Sequence, residues 1–176
     1  MVELVPLHAV AAPLVEALLD AAFGADRHAR TAYRLREGVA ALPTLSFAAL
    51  EGGRLVGTIQ CWPIALETPE GDLCPLTLVG PVAVLPDVQR GGVGKVMMTR
   101  TLQEADARGH DALVMIGDPE YYDRFFGFTA ASTQLWDLPG PFERHRLLAR
   151  ISRTGRVPAV GKIIPDPSFA TLGATA

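Results

Sequence analysis

The sequence predicts an α/β fold whose sheet mixes antiparallel and parallel strands. Three observations carry that expectation. The short turn Glu51-Gly52-Gly53 joins two apolar, partly alternating runs, the pattern of an antiparallel hairpin. Between Leu76 and Ile116 an apolar strand, a glycine cluster, an amphipathic helix and a second apolar strand follow one another, which is a βαβ unit with parallel neighbouring strands. The 176 residues suffice for one ordinary core and are too few for two, so 1–176 reads as a single domain.

Taken in order, Ala9 to Phe23 carries Leu14, Ala17, Leu18 and Ala21 at three- and four-residue steps, the period of one helical face, and Gly24 is its expected stop. Arg27 to Glu37 is a second helical candidate whose cations, Arg27, Arg30, Arg34 and Arg36, fit a solvated face or, functionally, a lid over a substrate. The hairpin strands are Leu45–Leu50 and Arg54–Ile64. After a turn at Thr68-Pro69-Glu70-Gly71-Asp72, the run Leu76–Leu85 contains Gly80-Pro81. Proline cannot donate to a ladder, so this strand should be bulged or at an edge there, leaving backbone groups for a ligand.

From Gly94 onward Met97, Met98, Thr101, Leu102 and Ala105 fall on one side of a helix that stops at Arg108-Gly109. Ala112–Ile116 reads as a buried strand. Pro119–Phe125 reads as a brief helix capped by Asp118 and closed near Gly127. Thr133–Leu138 and Leu147–Ser152 are strand candidates around Pro139-Gly140-Pro141, and the tail from Pro165 is expected to fray.

Composition excludes several functions. A net charge of -3 with 20% charged residues offers no electrostatic footprint for nucleic acid or a polybasic membrane module. The chain is 49% apolar, yet no apolar run approaches the length of a bilayer span. Two cysteines, Cys61 and Cys74, form neither a disulfide framework nor a close metal-type pair. The start Met1-Val2-Glu3-Leu4-Val5-Pro6 lacks the basic and apolar blocks of a signal peptide, so a cytoplasmic protein acting on small molecules is expected.

Gly91, Gly92 and Gly94 lie between strand and helix, where backbone N–H groups and the positive helix end can face a phosphate; Arg90 and Lys95 flank them. Glycine admits close approach and φ above zero. A nucleotide P-loop would need glycine where Gln89 stands and a hydroxyl where Val96 stands. A dinucleotide fingerprint would need a small residue at Met97 and would leave Asp118 as its acidic partner. A plain connecting turn would need neither three glycines nor two flanking cations.

Gln89-x-x-Gly92-x-Gly94 after an Ala-Val-x-Pro strand end resembles the acetyl-coenzyme A loop of the GNAT N-acetyltransferase superfamily. The run Gly117-Asp118-Pro119-Glu120-Tyr121-Tyr122, followed by Arg124-Phe125 and Gly127-Phe128, resembles its YhbS-like branch. The combined match spans about Leu78 to Phe128. The resemblance implies a GNAT acyl-CoA N-acyltransferase fold: a mixed, mostly antiparallel, bent sheet flanked by helices, with a V-shaped opening between the strands ending near Leu85 and Ile116. It implies an acyltransferase moving acetyl from acetyl-CoA, as cosubstrate and without a metal, to a small-molecule or peptide amine in a ternary complex. The alternative is a non-catalytic acyl-CoA sensor on the same fold. A homodimer is the default assembly.

Carried over, the resemblance assigns the pyrophosphate to Arg90, Gly91, Gly92, Val93, Gly94 and Lys95, with Gln89 in the motif, and the pantetheine arm to the strand Val82, Ala83, Val84. It assigns protonation of the departing thiolate to a tyrosine, a role worth about 10²- to 10⁴-fold. Counting from Gly117 selects Tyr122. Counting back from Gly127-Phe128 meets one extra residue, the doubled Phe125-Phe126, and keeps Tyr121 as a rival. Either tyrosine could instead be an aromatic anchor. No general base stands out: Asp118 fits a helix cap, Glu120 lies near the tyrosines, His110 fits a structural role, His145 a surface turn or the acceptor pocket, and water could carry the proton. Cys61 reads as a small buried hydrophobe.

Overall fold

The computed structural model describes residues 1–171. In chain order its elements are β1 (Val2–Pro6), α1 (Ala12–Phe23), α2 (Thr31–Arg34), β2 (Phe47–Glu51), β3 (Arg54–Glu67) and β4 (Leu73–Val84), then α3 (Val93–Ala107), β5 (Ala112–Ile116), α4 (Pro119–Phe126), β6 (Leu135–Asp137), β7 (Leu147–Ile151) and β8 (Val160–Pro165). The strands join in the order β1-β2-β3-β4-β5-β7, with β8 on β3 and β6 on β8. The sheet is mixed and mostly antiparallel: β1–β2, β2–β3, β3–β8 and β5–β7 are antiparallel, β4–β5 and β6–β8 parallel. Among the described residues no helix is long and apolar enough to cross a membrane.

The chain divides into two compact units. The first comprises Met1–Ala29, Ala41–Cys61 and Gly80–Arg108; the second comprises Arg30–Ala40, Trp62–Val79 and the chain from Gly109 onward.

In the first unit the hairpin forms as its turn dictates. Glu51 faces Arg54, so the loop is Gly52-Gly53, with φ of 57° and 81°, the positive pair that a primed two-residue turn requires. Helix α1 starts at Ala12 rather than Ala9, because Leu7–Ala9 forms a 3-10 turn first and Pro13 is tolerated only at a helix start. It ends at Gly24, whose φ is 93°. Its buried face, Val15, Leu18 and Leu19, packs on Ala83 of β4. Helix α3 buries Val93, Met97, Met98, Thr101, Leu102 and Ala105, the stripe its period marks, and Thr101 donates its hydroxyl to the Leu45 carbonyl at 3.2 Å. Gly57 lets α3 approach β3: a Cβ there would come within 3.0–3.1 Å of Met97, the Ala83 carbonyl and Val93.

The expected helix over Arg27–Glu37 shrinks to a 3-10 turn at Arg27–Ala29 and the single turn α2. In the first unit the guanidinium of Arg27 is buried, 2% exposed, and donates to the carboxylates of Glu16 and Asp20 on α1, so it ties this segment to the preceding helix and faces neither solvent nor a substrate. Charge density along the sequence does not reveal that two acids one helical turn apart wait for one of these arginines.

In the second unit β5, buried at Ala112 to Met115, lies between β4 and β7, pairing Thr77↔Leu113 and Leu78↔Val114 in parallel with β4. The core gathers Leu35, Ile64, Leu66, Leu78, Val114, Trp136 and Leu147, with the Trp136 indole donating to the Pro158 carbonyl at 2.9 Å. Strand β8, absent from the sequence reading, pairs with both β3 and β6. The tail does not fray at Pro165: that residue closes β8, Asp166 caps a further 3-10 turn, and the Thr171 amide bonds the Gly38 carbonyl at 2.8 Å. The last part of the expected frayed tail, 172–176, lies outside the described residues.

Strand β4 runs through Gly80-Pro81 without ending and has β3 and β5 on its two sides, so it is not an edge strand. The irregularity expected of proline falls on Gly80 instead, at φ 131°, a backbone that side chains rarely allow.

Candidate active site

The glycine segment belongs to the first unit. After β4, Leu85 turns the chain and its amide bonds the Val56 carbonyl at 2.9 Å; a 3-10 turn over Pro86–Gly91 follows. Gly92 then takes φ 75° and serves as N-cap of α3. Of the three loop glycines only Gly92 has this positive φ, so it alone is demanded by the turn itself. A Cβ on Gly91 or Gly92 would meet nothing within 4 Å, and one on Gly94 would meet only Val84, at 3.8 Å. The surface above these glycines is open, and a side chain there would occupy the space through which a ligand reaches the backbone.

Among the described residues no side chain caps α3, and its first turn carries no acid. The first intrahelical bond from the cap is Val96 N–H to the Gly92 carbonyl at 3.1 Å, so the amides of Val93 and Gly94, ahead of that bond, point out of the helix end. An uncapped positive end without acid, flanked by the exposed Arg90 and Lys95, suits an anion. Asp87, the acid just before it, is held by Arg54 at 2.9 Å, and the hydrogen bond to that guanidinium draws its carboxyl below the usual range. Gln89 is exposed and reaches back toward the Val84 carbonyl at 3.5 Å, the outer limit of a hydrogen bond. Along β4, Ala83 is buried against α1 while Val82 and Val84, on the other face by the strand's alternation, stay half-buried.

The tyrosines belong to the second unit. Asp118 caps α4, accepting from the Glu120 amide at 3.1 Å, and Pro119 occupies the first helical position. Gly127 closes the helix at φ 74°, with the Phe128 amide bonded back to the Tyr122 carbonyl at 3.1 Å and the Phe128 ring fully buried. The extra residue of the Phe125-Phe126 pair is thereby absorbed within α4: Phe125 points outward, 44% exposed, and Phe126 is half-buried.

Tyr121 and Tyr122 lie edge to face, centroids 4.9 Å apart, but in different surroundings. The Tyr122 ring covers Gly117, where a Cβ would strike it at 2.8 Å, and stands against Phe128. Tyr121 packs on Phe125 and Phe126 at the outer side. Burial, with smaller contributions from Tyr121 and Asp118, pushes the Tyr122 phenol up to about 12. Burial raises Tyr121 as well. Neither hydroxyl has a hydrogen-bond partner among the described residues.

The other residues weighed as bases sit elsewhere in chemical terms. Asp118 is engaged as the cap and Glu120 is exposed. His110 shares a hydrogen bond with the Thr77 hydroxyl at 2.9 Å, a structural role. His145 lies exposed on a 3-10 turn 3.5 Å from Glu143. Cys61 is fully buried in β3 and its thiol is driven far up by burial. Sequence reasoning found Gly117 as part of a motif, without its role of making room for the Tyr122 ring, and missed Gly57. A lone glycine inside an apolar run such as Leu55–Ile59 is the available signal of close backbone approach.

The acetyltransferase (GNAT) domain model matches residues 11–131, which include both segments. The chain is 29% identical over 122 residues to an uncharacterized N-acetyltransferase, YhbS, of Escherichia coli, covering 69% of this chain and 70% of that protein. Its fold is similar to the crystal structure of Escherichia coli YhbS in complex with CoA, at 22% identity and a TM-score of 0.69, with 98% of this chain and 93% of that one covered. It is similar too to a GNAT family acetyltransferase of Brucella melitensis in complex with acetyl-CoA, at 22% identity and a TM-score of 0.68, with 96% and 98% covered.

Proposed function

The chain belongs to the GNAT acetyltransferase family, and on that premise we propose that it transfers acetyl from acetyl-CoA to an amine, directly and within one ternary complex. The observation that carries the reading is the uncapped, acid-free N-terminus of α3 behind the open Gly91-Gly92 surface. The pyrophosphate rests on the amides from Arg90 to Lys95, with the cations of Arg90 and Lys95 beside it, and the pantetheine arm lies along Val82, Ala83 and Val84. The related structures of Escherichia coli and Brucella melitensis, which hold CoA and acetyl-CoA, support acetyl-CoA as the ligand.

Tyr122 is the acid in this proposal. The neutral amine attacks the thioester carbon, the carbon–sulfur bond breaks, and the Tyr122 hydroxyl gives its proton to the departing thiolate; the proton lost by the new amide nitrogen returns to the phenolate through water. A phenol held near 12 stays protonated at every working pH, the state an acid must start from. Tyr122 is favoured over Tyr121 because its ring is fixed by Gly117 and Phe128, whereas Tyr121 leans on the exposed Phe125.

The test is release of free CoA thiol from acetyl-CoA with a panel of small amines, amino acids and peptides, combined with mass spectrometry of the protein after acetyl-CoA alone. Turnover on at least one amine without an acetylated protein supports direct transfer. An acetylated protein that passes its acetyl to amine would overturn the ternary complex. Tight acetyl-CoA binding with no turnover on any amine would favour a sensor.

A further inference from the structure

A cleft of about 240 Å³ opens in the first unit between the start of α1, the turn before it, the segment leading into β2, and β3. At ~30 Å³ per water this is room for roughly eight waters, or a ligand of about ten heavy atoms. Its walls are mostly apolar, with Leu7, Val10 and Val15 among them, but β3 contributes Gln60 and the entry to β2 contributes Ser46. Gln60 is 6% exposed, its Oε1 is buried, and that oxygen has no hydrogen-bond partner among the described residues. Two residues back on the same face of β3, the buried Thr58 hydroxyl is unpartnered as well. Ser46 accepts from the Cys61 amide at 3.0 Å, which leaves its own hydroxyl proton to give.

A buried carboxamide oxygen with nothing to bond is a standing cost that an apolar side chain of the same size would avoid. Charge in the cleft is already balanced: the Glu16 carboxylate is taken by Arg27, and His8 is exposed at the rim. A charged ligand would lose its hydration there without gaining a free counter-ion. We infer that this cleft is a ligand site for a compact, uncharged molecule with an apolar body and an amide-like head, which bonds the Gln60 carboxamide and the Ser46 hydroxyl. The inference does not rest on acetyl transfer, because occupancy is read without acetyl-CoA.

Benzamide, with benzoate as its charged isostere, is the probe, followed by heteronuclear NMR of the intact chain. Benzamide should give saturable shifts at Leu7, Val10, Val15 and Ser46 with a Kd of roughly millimolar order, and benzoate should bind at least about tenfold more weakly. Gln60→Leu should weaken benzamide about tenfold while leaving the thermal midpoint unchanged or higher, an outcome that a purely structural glutamine would not give. Gln60→Met serves if the leucine variant does not fold, and Ala41→Leu, which fills the cleft, should also remove the shifts. No saturable shift at these residues would mean that water alone occupies the cleft and would overturn the inference. Equal benzamide binding by wild type and Gln60→Leu, or equal binding of benzamide and benzoate, would overturn it too.

Discussion

Burial raises the proton affinity of both Tyr122 and Cys61, and the consequences differ. The Tyr122 phenol ionises near 10 in the unfolded chain and at about 12 in the folded protein. Between those values the unfolded state has released a proton that the folded state retains, so the contribution is whole below about pH 10 and is lost as pH rises toward 12. Urea unfolding should therefore show stability falling by on the order of 2 kcal/mol above about pH 10, and Tyr122→Phe should remove that part of the slope. A variant with the wild-type slope would mean that the phenol is not buried in solution. Cys61, fully buried and held in its thiol form, should resist a thiol reagent that labels the half-buried Cys74 in the folded protein, and should react only on denaturation. At this scale the sequence identified residue types well: Cys61 is the buried hydrophobe expected, and Asp118 is the cap. What it could not supply was which of the adjacent tyrosine rings lies against Gly117, because that depends on the folded path of α4.

Elements meet at glycines whose role is space. Gly57 lies under α3, and Gly57→Ala would press a methyl to 3.0–3.1 Å from Met97, Val93 and the rigid Ala83 carbonyl. The helix must shift or the side chains must leave their rotamers, at about 1–3 kcal/mol by chemical denaturation. Gly117→Ala drives a methyl into the Tyr122 ring at 2.8 Å, so it should displace the phenol and lower turnover along with stability. Gly92→Ala is different in kind. It has open space around it but a φ of 75°, so the strain should be about 1 kcal/mol while acetyl-CoA affinity falls by at least about tenfold, read by calorimetry. The hairpin, α3, β5 and α4 were legible because their turn residues and periods agree locally. Helix α2 was not, since its basic segment answers to Glu16 and Asp20 on another element rather than to its own period.

For the molecule as a whole, the mixed sheet follows from a hairpin and a βαβ unit read together, and the observed pairing of β2 with β3 and of β4 with β5 bears this out. Strands β1 and β8 escaped notice because each is short and gains its stability from partners far along the chain, β2 and β3 respectively. The same holds for the 240 Å³ cleft, which exists only where four separate segments converge. The claim joining glycine loop and tyrosine into one reaction is tested most directly by stopped-flow release of CoA thiol at saturating acetyl-CoA and amine, comparing wild type, Tyr122→Phe and Tyr121→Phe. Loss of the acid should slow Tyr122→Phe by at least about 10²-fold with the KM for acetyl-CoA nearly unchanged, while Tyr121→Phe stays within a few-fold of wild type. A Tyr122→Phe enzyme that releases thiol at the wild-type rate would contradict the assignment.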